Sequence, residues 1–325
     1  MAQISTQPVP ATTLSQGREK SKHARSVREI LIFIGLSLCG VFSVLTTAGI
    51  IFTLSIEAYH FFTLPEVSVW EFLTGLRWSP LLGAEKHFGI WPLIGGTLLI
   101  SAIAMAVALP LGLISAIFLS EYAHPAVRAV LKPVLEVIAG VPTVVFGFFA
   151  LTVITPTLRW FHDGFNVYNA MSAGIAVGIM CLPIVTSLSE DALRAVPRSL
   201  REGAYGLGAT PFEVSIKVVV PAALSGIIAA FLLAIARAVG ETMIVSLAAG
   251  AMPMPLADDP SAAIDPRNPA QTMTGYMVMI FTGDVSNFGV EYYSSYAVAA
   301  TLFVMTLILT LIGHRVRIRY RQVYE

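Results

Sequence analysis

The chain has 325 residues, of which 56% are hydrophobic and 12% charged, with 20 basic residues against 20 acidic ones and a mean hydropathy of +0.76. Soluble domains carry about twice that charged fraction, so the composition excludes an ordinary soluble domain and points to an integral membrane protein. A formal net charge of zero leaves no bulk field for nucleic acid.

Residues 1–28 are polar and turn basic near their end, which predicts a disordered tail. The apolar run that follows has no small-residue cleavage site and exceeds a signal peptide's core of about 7–15 residues, so it is expected to remain as a span. Six runs reach the roughly 20 apolar residues that a membrane helix needs. They lie near 30–56, 90–119, 134–155, 170–188, 221–250 and 296–313. Gly174, Gly178 and Pro183 make the fourth the weakest of them. Cys39 and Cys181 fall inside apolar runs and read as small buried hydrophobes.

Basic residues gather in the tail (Arg18, Lys20, Lys22, Arg25, Arg28) and in the second-to-third connection (Arg128, Lys132). They gather again in the fourth-to-fifth connection (Arg194, Arg198, Arg201, Lys217) and at the C-terminus (Arg315, Arg317, Arg319, Arg321). The other side holds only Arg77, Lys86, Arg159 and Arg267. The positive-inside rule therefore places both termini in the cytoplasm, in agreement with an even number of spans. On the outer side, Trp70, Trp78 and Trp91 suit an interfacial aromatic belt. Residues 252–295 open with prolines and acids, which predicts an irregular exposed loop. The chain lacks a phosphate-binding loop, H-E-x-x-H, C-x-x-C and G-x-S-x-G, so neither a catalytic residue nor a metal ligand is expected.

The connection at 189–227 carries its own signals. Ser199 and Glu202 have the spacing of a capping box, and Gly208 is a natural left-handed stop. Thr210, Pro211 and Glu213 form a second helix start. Two short surface helices with a glycine bend are expected, leading through Pro221 into the fifth span.

Glu202-Gly203-Ala204, then Gly208, then Val218-x-Val220-Pro221 resembles the EAA loop of ABC-importer permeases. The spacing matches throughout, with Gly203, Val218 and Val220 departing from the family's alanine, isoleucine and leucine. Val107–Ala123, Glu136–Phe148, Ser189–Thr210 and the stretch ARAVGETM further resemble phosphate permeases of the PstC type. The likeness runs from about residue 61 to residue 320. It implies an all-α membrane protein with the six-helix, type I importer (MetI-like) fold. Glu202, Gly203, Ala204, Gly208 and Pro221 would then couple the chain to an ATPase. The implied partners are a homologous second permease (PstA type), two copies of a cytosolic ABC ATPase (PstB type) and a periplasmic phosphate-binding protein (PstS type). The setting would be a bacterial inner membrane. ATP and Mg would sit on the ATPase, with no cofactor on this chain. The implied layout is a tail (1–28), a first helix with an extended outer segment (29–89), a permease domain (90–317) holding the coupling loop (189–221), and a C-terminal stub (318–325).

ARAVGETM places Arg237 and Glu241 four residues apart in the fifth apolar run, so they are expected to share a helix face. Each charge costs about 2.5–3.5 kcal/mol at the centre of a membrane helix on insertion scales. A planar guanidinium suits a tetrahedral oxyanion. Two roles stay open for the pair: an anion path on Arg237, partly neutralised by Glu241, or a helix-stabilising ion pair that never meets substrate. Gly240 beside it serves either a bend or close packing. Thr143, next to Pro142, either joins the path or bonds a carbonyl freed by a proline kink. Phosphate import is the expected function. Import of molybdate or sulfate is the alternative within the class, and ion-coupled secondary transport or a membrane scaffold the alternatives outside it.

Overall fold

A computed structural model describes residues 12–81, 86–283 and 289–319. The chain divides into two units, Met1–Ile56 and Glu57–Glu325. The first unit is most of one long helix, α1 (Thr12–Thr63). It starts inside the stretch expected to be disordered, and residues 1–11 and Arg321 lie outside the described residues. Cys39 is exposed on it, against expectation, because among the described residues of its own unit none covers the helix.

The second unit opens with an aromatic cluster. After the last residues of α1 come α2 (Val69–Thr74), capped by Ser68, and two short antiparallel strands, β1 (Trp78–Ser79) and β2 (His87–Phe88). Phe61, Phe72, Trp78 and Phe88 meet edge to face, with Tyr276 against Trp78 at 4.9 Å. Trp78 is therefore a core residue rather than part of an interfacial belt. Trp70 and Trp91 are exposed as the belt requires.

The spans follow. α3 (Trp91–Ile117) runs through Pro110 and ends in a π-turn at Phe118–Tyr122. α4 (Pro125–Ala139) is a separate amphipathic helix with no buried residue. α5 (Thr143–Phe149), a π-turn (Ala150–Ile154) and α6 (Thr155–Phe161) make one continuous span. The expected third span at 134–155 is thus shifted. Gly140 ends one helix and Pro142 starts the next, since proline disfavours helical backbone in the residue before it.

α7 (Ala170–Arg194) is the most buried of the candidate spans, although its glycines made it look the weakest. Those glycines form a seam with α3. A Cβ on Gly174 would lie 2.6 Å from Ile103 Cβ, and one on Gly178 would lie 2.9 Å from the Ala104 carbonyl. Gly112 of α3 returns the contact, 2.6 Å from Val185 Cγ1. Small residues let two helix backbones approach where larger ones would hold them apart.

α8 (Arg198–Gly206) and a second helical stretch follow. The latter comprises α9 (Pro211–Val214), a π-turn (Ser215–Val219) and α10 (Val220–Ala222). It meets α11 (Leu224–Val239) at a 71° bend. α12 (Met243–Ala248), α13 (Pro260–Ile264), α14 (Met273–Thr282) and α15 (Val290–Arg319) complete the chain. Among the described residues, five helices are long and apolar enough to cross a membrane, or six if the bent pair counts as one span. Within the loop expected to be irregular, α14 is a short apolar helix with Met273, Thr274, Tyr276 and Ile280 buried.

Candidate functional site

The expected fifth span is not one helix. α11 stops at Val239, capped by Gly240, whose N–H donates to the Ala236 and Ala238 carbonyls. A Cβ on Gly240 would meet only the Ala236 carbonyl at 3.4 Å, an ordinary contact, so Gly240 does not serve close packing; it stands at the break itself. Glu241 lies in that break and is buried. One carboxylate oxygen accepts from the Met243 and Ile244 amides (3.2 and 3.4 Å), the first free donors of α12. The other lies 3.6 Å from the Arg237 guanidinium. The Glu241 carbonyl accepts from Thr274 Oγ1 at 2.7 Å, which ties the break to α14. Arg237 and Glu241 do meet, but across a helix end and not along one continuous face.

The two partners differ sharply in exposure: the Glu241 side chain is 2% exposed and that of Arg237 is 46%. Arg237 touches Met180 Sδ of α7 at 3.8 Å, and among the described residues its guanidinium has no oxygen at hydrogen-bond distance. It lines a groove of about 390 Å³ with Leu119, Lys132, Glu136, Pro183 and Leu233. Thr143 is the first residue of α5 and half-buried, with Pro142 as the residue before the helix. No in-helix proline kink exists there for it to repair. No hydrogen bond joins Thr143 to Arg237 or Glu241 among the described residues.

One charged cluster was not legible beforehand. Glu190 of α7 is 1% exposed and pairs with Arg128 and Lys132 of α4, the latter at 3.2 Å. Arg194 stands 3.7 Å away, one turn along α7. Burial opposes the charge on Lys132, but hydrogen bonds to Asp191 and Glu190 outweigh it and hold the ammonium above its ordinary range. The usable signal was the Glu190/Arg194 spacing at the end of an apolar run.

The 189–221 segment folds in two parts. Ser199 does not cap; α8 begins at Arg198, behind Pro197, without a side-chain cap. Gly208 takes φ +81°, the left-handed stop expected of it. Thr210 and Glu213 form a full capping box. Leu200 and Ala204 pack on a buried cluster of Leu193, Val196, Val214 and Val219. Glu202, Gly203 and Tyr205 face outward, and Leu207 is 92% exposed. A Cβ on Gly203 or Gly206 would meet nothing. Pro221 lies two residues before the bend into α11.

The family model described as "binding-protein-dependent transport system inner membrane component" matches residues 108–322. The chain belongs to that family. It is a permease subunit, not itself an enzyme, and a multi-pass protein of the bacterial inner membrane. The permease is 31% identical to the probable ABC transporter permease protein YqgH of Bacillus subtilis, over 92% of this chain and 94% of that one. It is 36% identical to the phosphate transport system permease protein PstC of Mesorhizobium japonicum, over 55% of this chain and 60% of that one. A bacterial ABC transporter involved in alginate import shares the fold, with a TM-score of 0.64 at 13% identity over 93% of the permease and 100% of the matched chain.

The outward face of α8 ends at exposed Leu207, with open space beside Gly206 and Gly208. Arg201 and Glu121, which bind each other beneath α8, were not singled out from sequence. Glu121 ends an apolar run and Arg201 precedes the EAA position, and neither fact alone marks a pair.

Proposed function

We propose that the permease carries inorganic phosphate into the cytoplasm, powered by a partner ATPase. The observation that carries this reading is the half-exposed Arg237 on its groove, with Glu241 buried behind it. Glu241 is committed to the α12 amides, so it only partly offsets the guanidinium. That leaves a planar donor free for a tetrahedral oxyanion, held weakly enough to be released. Likeness to PstC supports phosphate over other oxyanions. Thr143 joins the same path in this reading.

In this reading both termini lie in the cytoplasm, which the basic residues of the tail, of α4, of the 189–221 segment and of the C-terminus favour under the positive-inside rule. The chain then comprises a cytoplasmic tail (1–28), a first helix with an extended outer segment (29–89), a permease domain (90–317) and a C-terminal stub (318–325). Glu202, Gly203, Ala204, Gly208 and Pro221 form the coupling segment. It docks on a PstB-type ATPase, present in two copies, which holds the ATP and Mg. A PstA-type permease completes the pore, and a PstS-type protein delivers phosphate from outside.

The test is ATP-dependent uptake of radiolabelled phosphate in cells lacking this chain. Complementation by the wild type should restore uptake, and excess sulfate or molybdate should not compete. Arg237→Ala should abolish uptake with assembly intact, and Arg237→Lys should restore it only weakly. Competition by molybdate or sulfate would reassign the anion. Normal uptake by Arg237→Ala would make the pair structural.

A further inference from the structure

α8 is joined to α11 along the chain through Gly208 in a left-handed turn and the 71° bend at Ala223. A second route runs through space, and Arg201 is its centre.

Arg201 makes four hydrogen bonds. Its Nε and Nη2 donate to the two carboxylate oxygens of Glu121, at 3.2 and 3.0 Å. Its Nη1 donates to the Val196 carbonyl at 2.6 Å, and Nη2 also to the Leu193 carbonyl at 2.8 Å. The first two bonds grip the π-turn that ends α3. The last two reach the Leu193 carbonyl in the last turn of α7 and the Val196 carbonyl just past it, where the helix dipole favours a cation. The Arg201 side chain is 17% exposed and that of Glu121 is 9%. One guanidinium thus fastens α8 to two spans at once.

Those two spans are the pair packed backbone to backbone along the glycine seam. α7 also carries Met180, which touches Arg237. A continuous line of contacts leads from α8 through Arg201 to the α3–α7 pair and on to the groove.

We propose that Arg201 is the positioning residue that carries motion of the coupling helix into the α3–α7 pair. This rests on the reading that an ATPase docks on α8. Lysine cannot replace it, since one ammonium cannot span both carboxylate oxygens and two carbonyls in a fixed plane.

The test uses the full complex of both permeases, ATPase and binding protein in lipid nanodiscs and vesicles. The reporter is Leu233→Cys, on the groove beside Arg237, in a Cys39→Ser background. Its thiol-labelling rate is read with and without ATP and vanadate, alongside ATP hydrolysis and phosphate uptake. In the parent complex, ATP and vanadate should change the labelling rate. Arg201→Ala leaves Glu121 unpaired and should lower the thermal midpoint, so labelling and uptake are read per assembled complex; in those complexes Arg201→Ala and Arg201→Lys should keep ATP hydrolysis within about two-fold. They should lose the labelling change, and uptake per ATP should fall at least about ten-fold, the loss of one tight coupling step. Glu121→Gln keeps an acceptor and should fall less. Equal losses of hydrolysis and uptake, or a preserved labelling change in Arg201→Ala, would overturn the proposal. A parent complex that gates its groove yet moves no phosphate would sink the phosphate reading and leave Arg201 to be judged on labelling alone.

Discussion

Glycines do opposite work in two parts of this permease. Along the α3–α7 seam, Gly112, Gly174 and Gly178 sit where any added carbon would collide, at 2.6 to 2.9 Å from a neighbour. On α8 and just past it, Gly203, Gly206 and Gly208 look onto open space. The seam glycines are filled by this chain itself. The α8 glycines leave room for another molecule. The difference lies in what stands opposite, which no single glycine in a sequence reveals.

Substitutions at the two places should therefore part company. Gly174→Leu should cost most, above the roughly 1–3 kcal/mol of ordinary overpacking, because Ile103 and the Ile100 carbonyl already fill the site. Loss of monodisperse protein in detergent would register it. Gly112→Ala forces Val185 to shift and should cost about 1–3 kcal/mol, seen as a lower thermal midpoint. Gly208→Ala puts a side chain at positive φ and should cost about 1–2 kcal/mol. It should also reduce ATPase co-purification, since the turn sets the angle of α8. Gly203→Ala should stabilise the isolated permease slightly, by up to about 1 kcal/mol, through helix propensity. The sharpest case is alanine at 112 against alanine at 203. If the two shift the midpoint in the same direction, the contrast between seam and docking face is lost.

The parts legible in the sequence were those written locally. Thr210, Pro211 and Glu213 announce a helix start, and Gly208 a left-handed stop, through bonds among near neighbours. The EAA spacing and the apolar runs were legible for the same reason. The misread parts depend on distant contacts. Gly174 and Gly178 counted against α7 until α3 was in place to use them. Trp78 reads as interfacial until Phe61, Phe88 and Tyr276 surround it. Arg237 and Glu241 keep the same spacing whether the helix continues or breaks. Only the capture of the α12 amides by Glu241 decides for the break. The α14 helix, 10 residues long, is shorter than any hydropathy criterion for a span.

The π-turns at Phe118–Tyr122, Ala150–Ile154 and Ser215–Val219 have a consequence for how this chain tolerates insertions and deletions. Each accommodates one residue more than an α-helix of the same rise, by closing its bonds over five residues instead of four. A helix advances about 100° per residue, so removing one residue from plain α-helix re-phases everything downstream. Removing one residue within Ser215–Val219 instead lets the π-turn close to ordinary α-helix, with the segment leading to α11 kept in phase. A deletion inside α11 ahead of Arg237 has no such slack and would turn Arg237 off its groove without touching any residue of the charged pair.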